Sequence, residues 1–266
     1  MRFSHPVQLA LIAALGLTAA AAMAEPGFVD LADLTVAAPA IVQATVARAE
    51  RLSDRDSPGL AQGHARMLIT AAVDAAIVAP GAIPAELTWL WDAPLDAKGK
   101  LAKRKNMAVM VWITNPTPDG KTRLIAPNGQ QPWTPALDAG VRAIATEARS
   151  GAAPAITGVT NGFRADGTVA GESESQFFLS AADGQGATMV VTTRPGAARK
   201  VALSRGDVID ESAAAVRPGT LLWYRLACTL PATLPTKAGG GDPALAADWA
   251  AAMASLGACQ RHADSD

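Results

Sequence analysis

The fold class of this chain is set by the stretch Ala65-Arg66-Met67-Leu68-Ile69-Thr70-Ala71-Ala72-Val73. Side chains on a β-strand point alternately to opposite faces, so every second residue shares a face. In this stretch one set, with Met67 and Ile69 at its centre, is wholly apolar, whereas the other set includes Arg66 and Thr70. Alternation of this kind predicts a half-buried strand in a β-sheet.

Similar strand patterns lie on both sides of this stretch. They cover Ile41 to Arg48, Leu87 to Trp91, and the near-continuous apolar run from Met107 to Thr114. The pair Asp119-Gly120 indicates a tight turn before a further strand from Lys121 to Ala126. Five strands in so short a length predict a small barrel or sandwich.

A helix should close this first unit. Thr134 can cap it, Pro135 suits the first helical position, and Gly151 can end it. An apolar stripe and one supporting ion pair run along this helix: Leu137, Val141, Ile144 and Ala148, with Asp138 and Arg142. The small residues and proline from 150 to 154 then read as a linker between a domain over 25–150 and a second over 151–266.

The second unit has a strand pattern of its own. Strands are expected over Gln176 to Ser180, Thr188 to Thr193, Lys200 to Ser204 and Thr220 to Leu230, which predicts a β-sandwich. A terminal helix follows, with a cap, a proline at its first position and an apolar stripe: Asp242, Pro243, Leu245, Trp249, Ala252 and Leu256. The chain is therefore expected to be mainly β, with one flanking helix in each unit.

The first 24 residues have the layout of a secretory signal peptide. Arg2 supplies an early positive charge, an apolar run extends from Val7 to Met23, and small residues precede a cleavage site before Glu25. The same run could instead be an uncleaved anchor, but its apolar part is short for a membrane-spanning helix. These features predict a periplasmic or secreted protein with no transmembrane segment after cleavage.

The balance of charged residues bears on whether the protein binds nucleic acid. The chain has 23 basic and 24 acidic side chains, a formal net charge of −1, whereas nucleic-acid-binding domains usually carry a marked basic excess. No nucleic-acid partner is therefore expected.

The two cysteines, Cys228 and Cys259, are expected to form a disulfide. Strand alternation places Cys228 on an apolar face, and Cys259 follows the apolar stripe of the terminal helix. An oxidising compartment would join two thiols that pack together. The alternative is a pair of unpaired buried thiols.

Two resemblances bear on identity. The blocks from Gly171 to Leu179 and from Thr220 to Cys228 resemble those of uncharacterised secreted proteins of Gram-negative bacteria. That resemblance implies export but no activity, because the family has none assigned. The strand order of the first unit, with its paired tryptophans and closing helix, resembles the OB-like barrels of exported bacterial proteins, which implies a fold and not a function.

No catalytic set is evident. After signal cleavage only His64 and His262 remain as histidines, and no G-x-S-x-G nucleophile motif is present. Zinc sites need several histidine or cysteine ligands, so neither a metal site nor a cofactor is predicted.

Aromatic and acidic residues supply candidate binding positions. Trp89 and Trp91 share a strand face and could stack on a sugar, or else belong to the core. Two acidic groups could supply acid/base chemistry or calcium ligands, or else form solvated charged edges. They are Glu172 with Glu174, and Asp207 with Asp210 and Glu211.

A basic run precedes the Met107 strand, formed by Lys98, Lys100, Lys103, Arg104 and Lys105. It could meet an anionic envelope component, or else serve as a solvated loop that guards an apolar strand against aggregation.

These observations favour a non-catalytic binding or interaction module of the cell envelope that holds an envelope protein or a glycan. Two alternatives stay open: a carboxylate-based hydrolase acting on polysaccharide or peptidoglycan, and a purely structural envelope protein.

Overall fold

Two antiparallel sheets and four α-helices make up the computed structural model, which describes residues 26–205 and 214–261. The predicted signal peptide, residues 1–24, lies outside these ranges. The prediction of a mainly β protein is confirmed, because strand residues outnumber helical ones, 35% to 24%.

The first sheet curls into a half-barrel. Its strands are β1 (Ala40–Arg51), β2 (His64–Val78), β3 (Glu86–Pro94), β4 (Ala108–Ile113) and β5 (Gln130–Pro132), in the spatial order β3-β2-β1-β4-β5. The stretch that set the fold class lies in β2, where it pairs with β1 on one side and β3 on the other. Alternate residues of β1 to β4 fill the inside of the curl with an apolar core of their own.

The predicted strand from Lys121 to Ala126 is wrong. That segment makes only two isolated bridges, through Lys121 and Leu124. The Asp119-Gly120 turn is present, with Gly120 at a φ of 79°. A second turn, in which the Gly129 N–H donates to the Ala126 carbonyl over 2.9 Å, soon reverses the chain, so that β5 takes the place beside β4.

The second sheet contains β6 (Ile156–Asp166), β7 (Ser173–Ala181), β8 (Ala187–Thr193), β9 (Lys200–Arg205) and the two-residue β10 (Ala214–Ala215), in the order β10-β9-β8-β7-β6. The inner face of β7 combines Phe177, Leu179 and Ala181 with two buried serines, Ser173 and Ser175, whereas β8 is buried from Ala187 to Val191. This face packs with helices in one large core, so the second unit is a single sheet covered by helices and not the predicted β-sandwich.

The helices are α1 (Phe28–Ala37), α2 (Pro135–Ser150), α3 (Leu221–Ala227) and α4 (Pro243–Leu256). The two predicted helices are confirmed as α2 and α4, together with their caps at Thr134 and Asp242. One detail of α2 differs, because Ala145 and not Ala148 completes its buried stripe.

The predicted strand from Thr220 to Leu230 is wrong, because this segment contains α3. The Thr220 hydroxyl accepts a hydrogen bond from the Trp223 N–H over 3.2 Å and so caps the helix. Leu222 and Leu226 are four residues apart, a spacing that fits one face of a strand and one turn of a helix equally well. The capping threonine decides between the two, and the apolar side chains then enter the large core.

The predicted disulfide between Cys228 and Cys259 is confirmed, with the two Cα atoms 5.0 Å apart. It does not join a strand to a helix, however. Cys228 is the C-cap of α3, and Cys259 lies just after α4. The Trp223 indole N–H also donates to the Leu256 carbonyl over 2.6 Å, so α3 and the end of α4 are linked twice.

The large core contains residues from both sheets and all four helices. Ile41, Met110 and Trp112 enter it from the outer face of the half-barrel, and the Trp112 indole N–H donates to the Thr35 hydroxyl of α1 over 3.2 Å. Ala153 and Pro154, at the predicted domain boundary, are buried. The division into two domains stays a prediction.

A buried carboxylate fixes α4 on the second sheet. Asp248, whose residue is 3% exposed, accepts hydrogen bonds from the Ser175 hydroxyl over 2.7 Å and from the Nε of Arg164 and Arg199, each over 3.2 Å. A carboxylate removed from water is stabilised only when charged or polar donors replace its hydration. Asp248 therefore holds the helix at one position on the strands.

A second polar cluster joins α1, α3 and the segment after the disulfide. Asp33 accepts a hydrogen bond from the Tyr224 hydroxyl and is also bonded by the Arg261 guanidinium, with an Nε to Oδ2 distance of 2.6 Å. Burial and, to a smaller extent, the hydrogen bond to Asp33 together raise the pKa of Tyr224 to about 12. Burial alone would raise the pKa of Asp33, but the hydrogen bonds from Arg261 and Tyr224 bring it below its usual value.

We expect the substitution Asp248→Asn to lower the free energy of unfolding by about 2–3 kcal/mol, because it leaves two arginines facing a neutral amide in a buried site. Urea unfolding measures this change. Asp166→Asn is the matched control, since Asp166 also pairs with Arg164 but its side chain is 76% exposed. Equal effects of the two substitutions would contradict the role of Asp248.

Tyr224 is the only tyrosine of the chain, so its ionisation can be followed directly by ultraviolet absorbance. We expect a midpoint near pH 12, against about 10 for an unperturbed phenol. A raised pKa in the folded state contributes stability that is complete below pH 10 and is lost as the pH rises toward 12.

The Asp33→Asn variant replaces the carboxylate by a neutral amide, whose oxygen still accepts a hydrogen bond but carries no charge. It should move the Tyr224 midpoint part of the way toward 10, because burial, the larger cause of the shift, remains. Asp74→Asn, which alters an exposed carboxylate bonded to Thr45, should leave the midpoint unchanged. A wild-type midpoint at 10 would show that the cluster does not form.

Candidate ligand-binding site

A cationic pocket lies at one end of the half-barrel, with a volume of about 510 Å³. The end of β1, the beginning of β2, the end of β3 and the loop before β4 line it. Five of the lining residues are cationic, and none is acidic: Arg48, Arg51, Lys103, Arg104 and Lys105. We call this the mouth pocket. Openings of curled sheets are places where proteins often bind small ligands.

Backbone pairing brings the two cationic segments of the mouth pocket together. The Val46 N–H donates to the Met107 carbonyl over 2.9 Å, and the Asn106 N–H donates to the Val46 carbonyl over 2.8 Å. Asn106 has a φ of 65°, a left-handed conformation that asparagine tolerates better than most residues. This turn places the loop from 103 to 105 beside the end of β1.

Arg104 is held against the inside of the half-barrel. Its guanidinium carbon lies 4.8 Å from the centroid of the Trp91 ring, within the range of a cation–π contact. Its Nε is buried and has no hydrogen-bond partner in the described part of the chain. Burial lowers the pKa of Arg104. A partly desolvated cation of this kind gains from an anion placed next to it.

The carboxylates near the mouth pocket are already engaged. Asp92 accepts from the Arg66 Nε over 2.7 Å, an interaction that lowers the pKa of Asp92. Asp96 accepts from the backbone N–H groups of Lys98 and Lys100, each over 2.8 Å. Glu50 lies 3.6 Å from the Nε of Arg48.

The other four cations of the pocket have no ion-pair partner among the described residues. Within residues 26–205 and 214–261 no ion pair involves Arg51 or the loop cations at 103–105. The mouth pocket is therefore positive, with little internal compensation.

The predicted tryptophan positions lie in the core. Trp89 is 1% exposed and Trp91 is 4% exposed, so neither offers an open stacking surface for a sugar. The core interpretation of this pair is confirmed. The Trp89 indole N–H donates to the Gln130 side-chain oxygen over 2.8 Å, and Trp91 supports Arg104 from beneath.

Of the predicted acidic positions, the structure describes Glu172 and Glu174. Glu174 lies in β7 and accepts from the Gln176 amide over 2.9 Å, whereas Glu172 lies in the turn before β7. Their interpretation as a sheet edge is wrong, because β7 is flanked by β6 and β8. Asp210 and Glu211 lie outside the described residues, so a cleft shared with Glu172 stays a prediction.

The basic run is divided by the structure. Lys103, Arg104 and Lys105 line the mouth pocket, whereas Lys98 and Lys100 do not. Arg48 and Arg51 complete the pocket but were not among the predicted site residues. The only signal for them in the sequence is their place at the polar end of the β1 pattern, which says nothing about what lies beside them.

The part of the chain that the structure describes contains no cluster of potential metal ligands. Its histidine, cysteine and acidic residues form no group of three or more able to hold a metal ion. His64 lies at the beginning of β2 with its Nδ1 3.1 Å from the Gln62 carbonyl oxygen. None of the described helices is both long enough and apolar enough to cross a membrane.

Comparison with protein-family models and with curated proteins found no match to this chain.

Proposed function

We propose that this protein is an exported, non-catalytic binding module of the cell envelope that takes an anionic ligand in the mouth pocket. The observation that carries the proposal is the lining itself, which combines five cationic residues, of which only Arg48 lies near a carboxylate among the described residues, with no acidic residue. Two separate segments of the chain supply these cations, and the backbone pairing of Val46 keeps them side by side.

Electrostatics explains why such a pocket selects anions. A concave surface lined by charges of one sign concentrates counter-ions of the other sign and speeds their arrival. Arg104 adds a cation that water reaches only in part, so an anion next to it gains more than it would beside a fully solvated side chain. The same features disfavour cationic and neutral ligands.

The exported location is supported by two features. The first 24 residues have the pattern of a signal peptide, and the disulfide between Cys228 and Cys259 suits an oxidising compartment. An anionic ligand would be available in that location, because the cell envelope is rich in phosphate and carboxylate groups.

We expect the double variant Lys103→Ala/Lys105→Ala to bind dextran sulfate roughly tenfold more weakly or worse than the wild type, since each cation near an anionic surface contributes on the order of 1 kcal/mol. Both side chains are exposed, so the fold should be unaffected. Titration calorimetry at low salt measures the affinity.

Lys98→Ala/Lys100→Ala is the matched control. It removes the same charge from the same loop, but outside the mouth pocket. An equal loss of affinity in the two double variants would mean that binding depends on overall charge and not on the pocket.

A further inference from the structure

The floor of the mouth pocket is apolar beneath its cations. Met67 and Ala93 belong to the inner core of the half-barrel, and Leu101 packs against that core from the loop. Apolar surface makes no favourable contact with a hydrated inorganic ion, so such an ion would not account for the apolar part of the lining. Here the same pocket is lined by both cationic and apolar residues.

The size of the pocket points the same way. A volume of about 510 Å³ is much larger than a single small anion needs and falls within the range typical of organic-ligand sites. The remaining space is lined by two partly exposed apolar residues, Leu101 and Ala49, and by the edge of Met67, which is 5% exposed.

Arg104 joins the two parts of the pocket. Its guanidinium covers Trp91, whose ring belongs to the apolar core, while its charge contributes to the cationic lining. A planar guanidinium fixed in this way suits the oxygens of a phosphate or a carboxylate better than a freely moving ammonium group does.

We propose that the ligand of the mouth pocket is an anionic amphiphile, with a phosphate-type head among the cations and an alkyl chain on the apolar floor. This inference rests on the proposed function, because it names the ligand class of the same pocket. Membrane phospholipids and free phosphorylated amphiphiles share this chemistry.

The test compares three soluble probes: hexyl phosphate, inorganic phosphate and hexanol. We expect hexyl phosphate to bind at least tenfold more tightly than inorganic phosphate, because each buried methylene raises the affinity about fourfold. Hexanol should bind too weakly to measure, since it lacks the charge. Titration calorimetry with the mature, oxidised protein gives all three affinities.

Two variants separate the head from the chain. Leu101→Ser should reduce the advantage of hexyl phosphate over inorganic phosphate severalfold and leave the affinity for phosphate unchanged. Leu90→Ser is its control, because Leu90 is 48% exposed and does not line the pocket. Lys103→Ala/Lys105→Ala should weaken both phosphates alike.

The outcomes distinguish this inference from the proposed function. Equal affinity for phosphate and hexyl phosphate, with both lost in Lys103→Ala/Lys105→Ala, would overturn the amphiphile and leave the anion site standing. Failure to bind dextran sulfate and either phosphate would overturn both.

A vesicle experiment assigns the source once hexyl phosphate binds. Vesicles of phosphatidylglycerol in phosphatidylcholine that compete with hexyl phosphate indicate a membrane lipid. Absence of competition indicates a free amphiphile, and both results support the ligand class.

Discussion

Burial of both faces of β1 at its beginning is the constraint on which the rest of the structure depends. Ala40, Ile41 and Val42 are all 0% exposed, with Val42 inside the half-barrel and Ile41 in the large core outside it. One short segment therefore anchors two cores. Beyond Val46 only Ala49 still packs against the inner core, and Arg48, Glu50 and Arg51 are exposed at the open end of the curl. The position of the cationic pocket follows from where this burial ends.

Charged groups inside the fold are tolerated only where partners surround them. Asp248 has two arginines and a serine, and Asp33 has a tyrosine and an arginine. Such clusters contribute less to net stability than apolar packing does, because desolvation offsets most of the attraction. Their effect is to fix positions: α4 on the second sheet, and α1 against α3. Arg104 is different, since it lies against an aromatic ring and no ion pair of the described residues involves it.

The alternating and capped segments could be predicted from sequence because local rules decide them. Strand β2 alternates with a period of two from His64 to Ile69, and Thr134 with Gly151 marks both ends of α2. The helix α3 could not be separated from a strand, since leucines four residues apart satisfy both periods. The pocket could not be predicted either. Its cations at Arg51 and Lys103 come from distant segments, and only the register between β1 and the chain before β4 brings them together.

The ion pair between Asp33 and Arg261 joins residues 228 positions apart, near the two ends of the described chain. The first described helix, α1, and the last described segment, after the disulfide, are therefore neighbours in space. A circularly permuted protein, joined across these ends and opened in the exposed loop around Gly99, would keep every pairing of both sheets. The packing of the elements thus does not require the order in which the chain connects them.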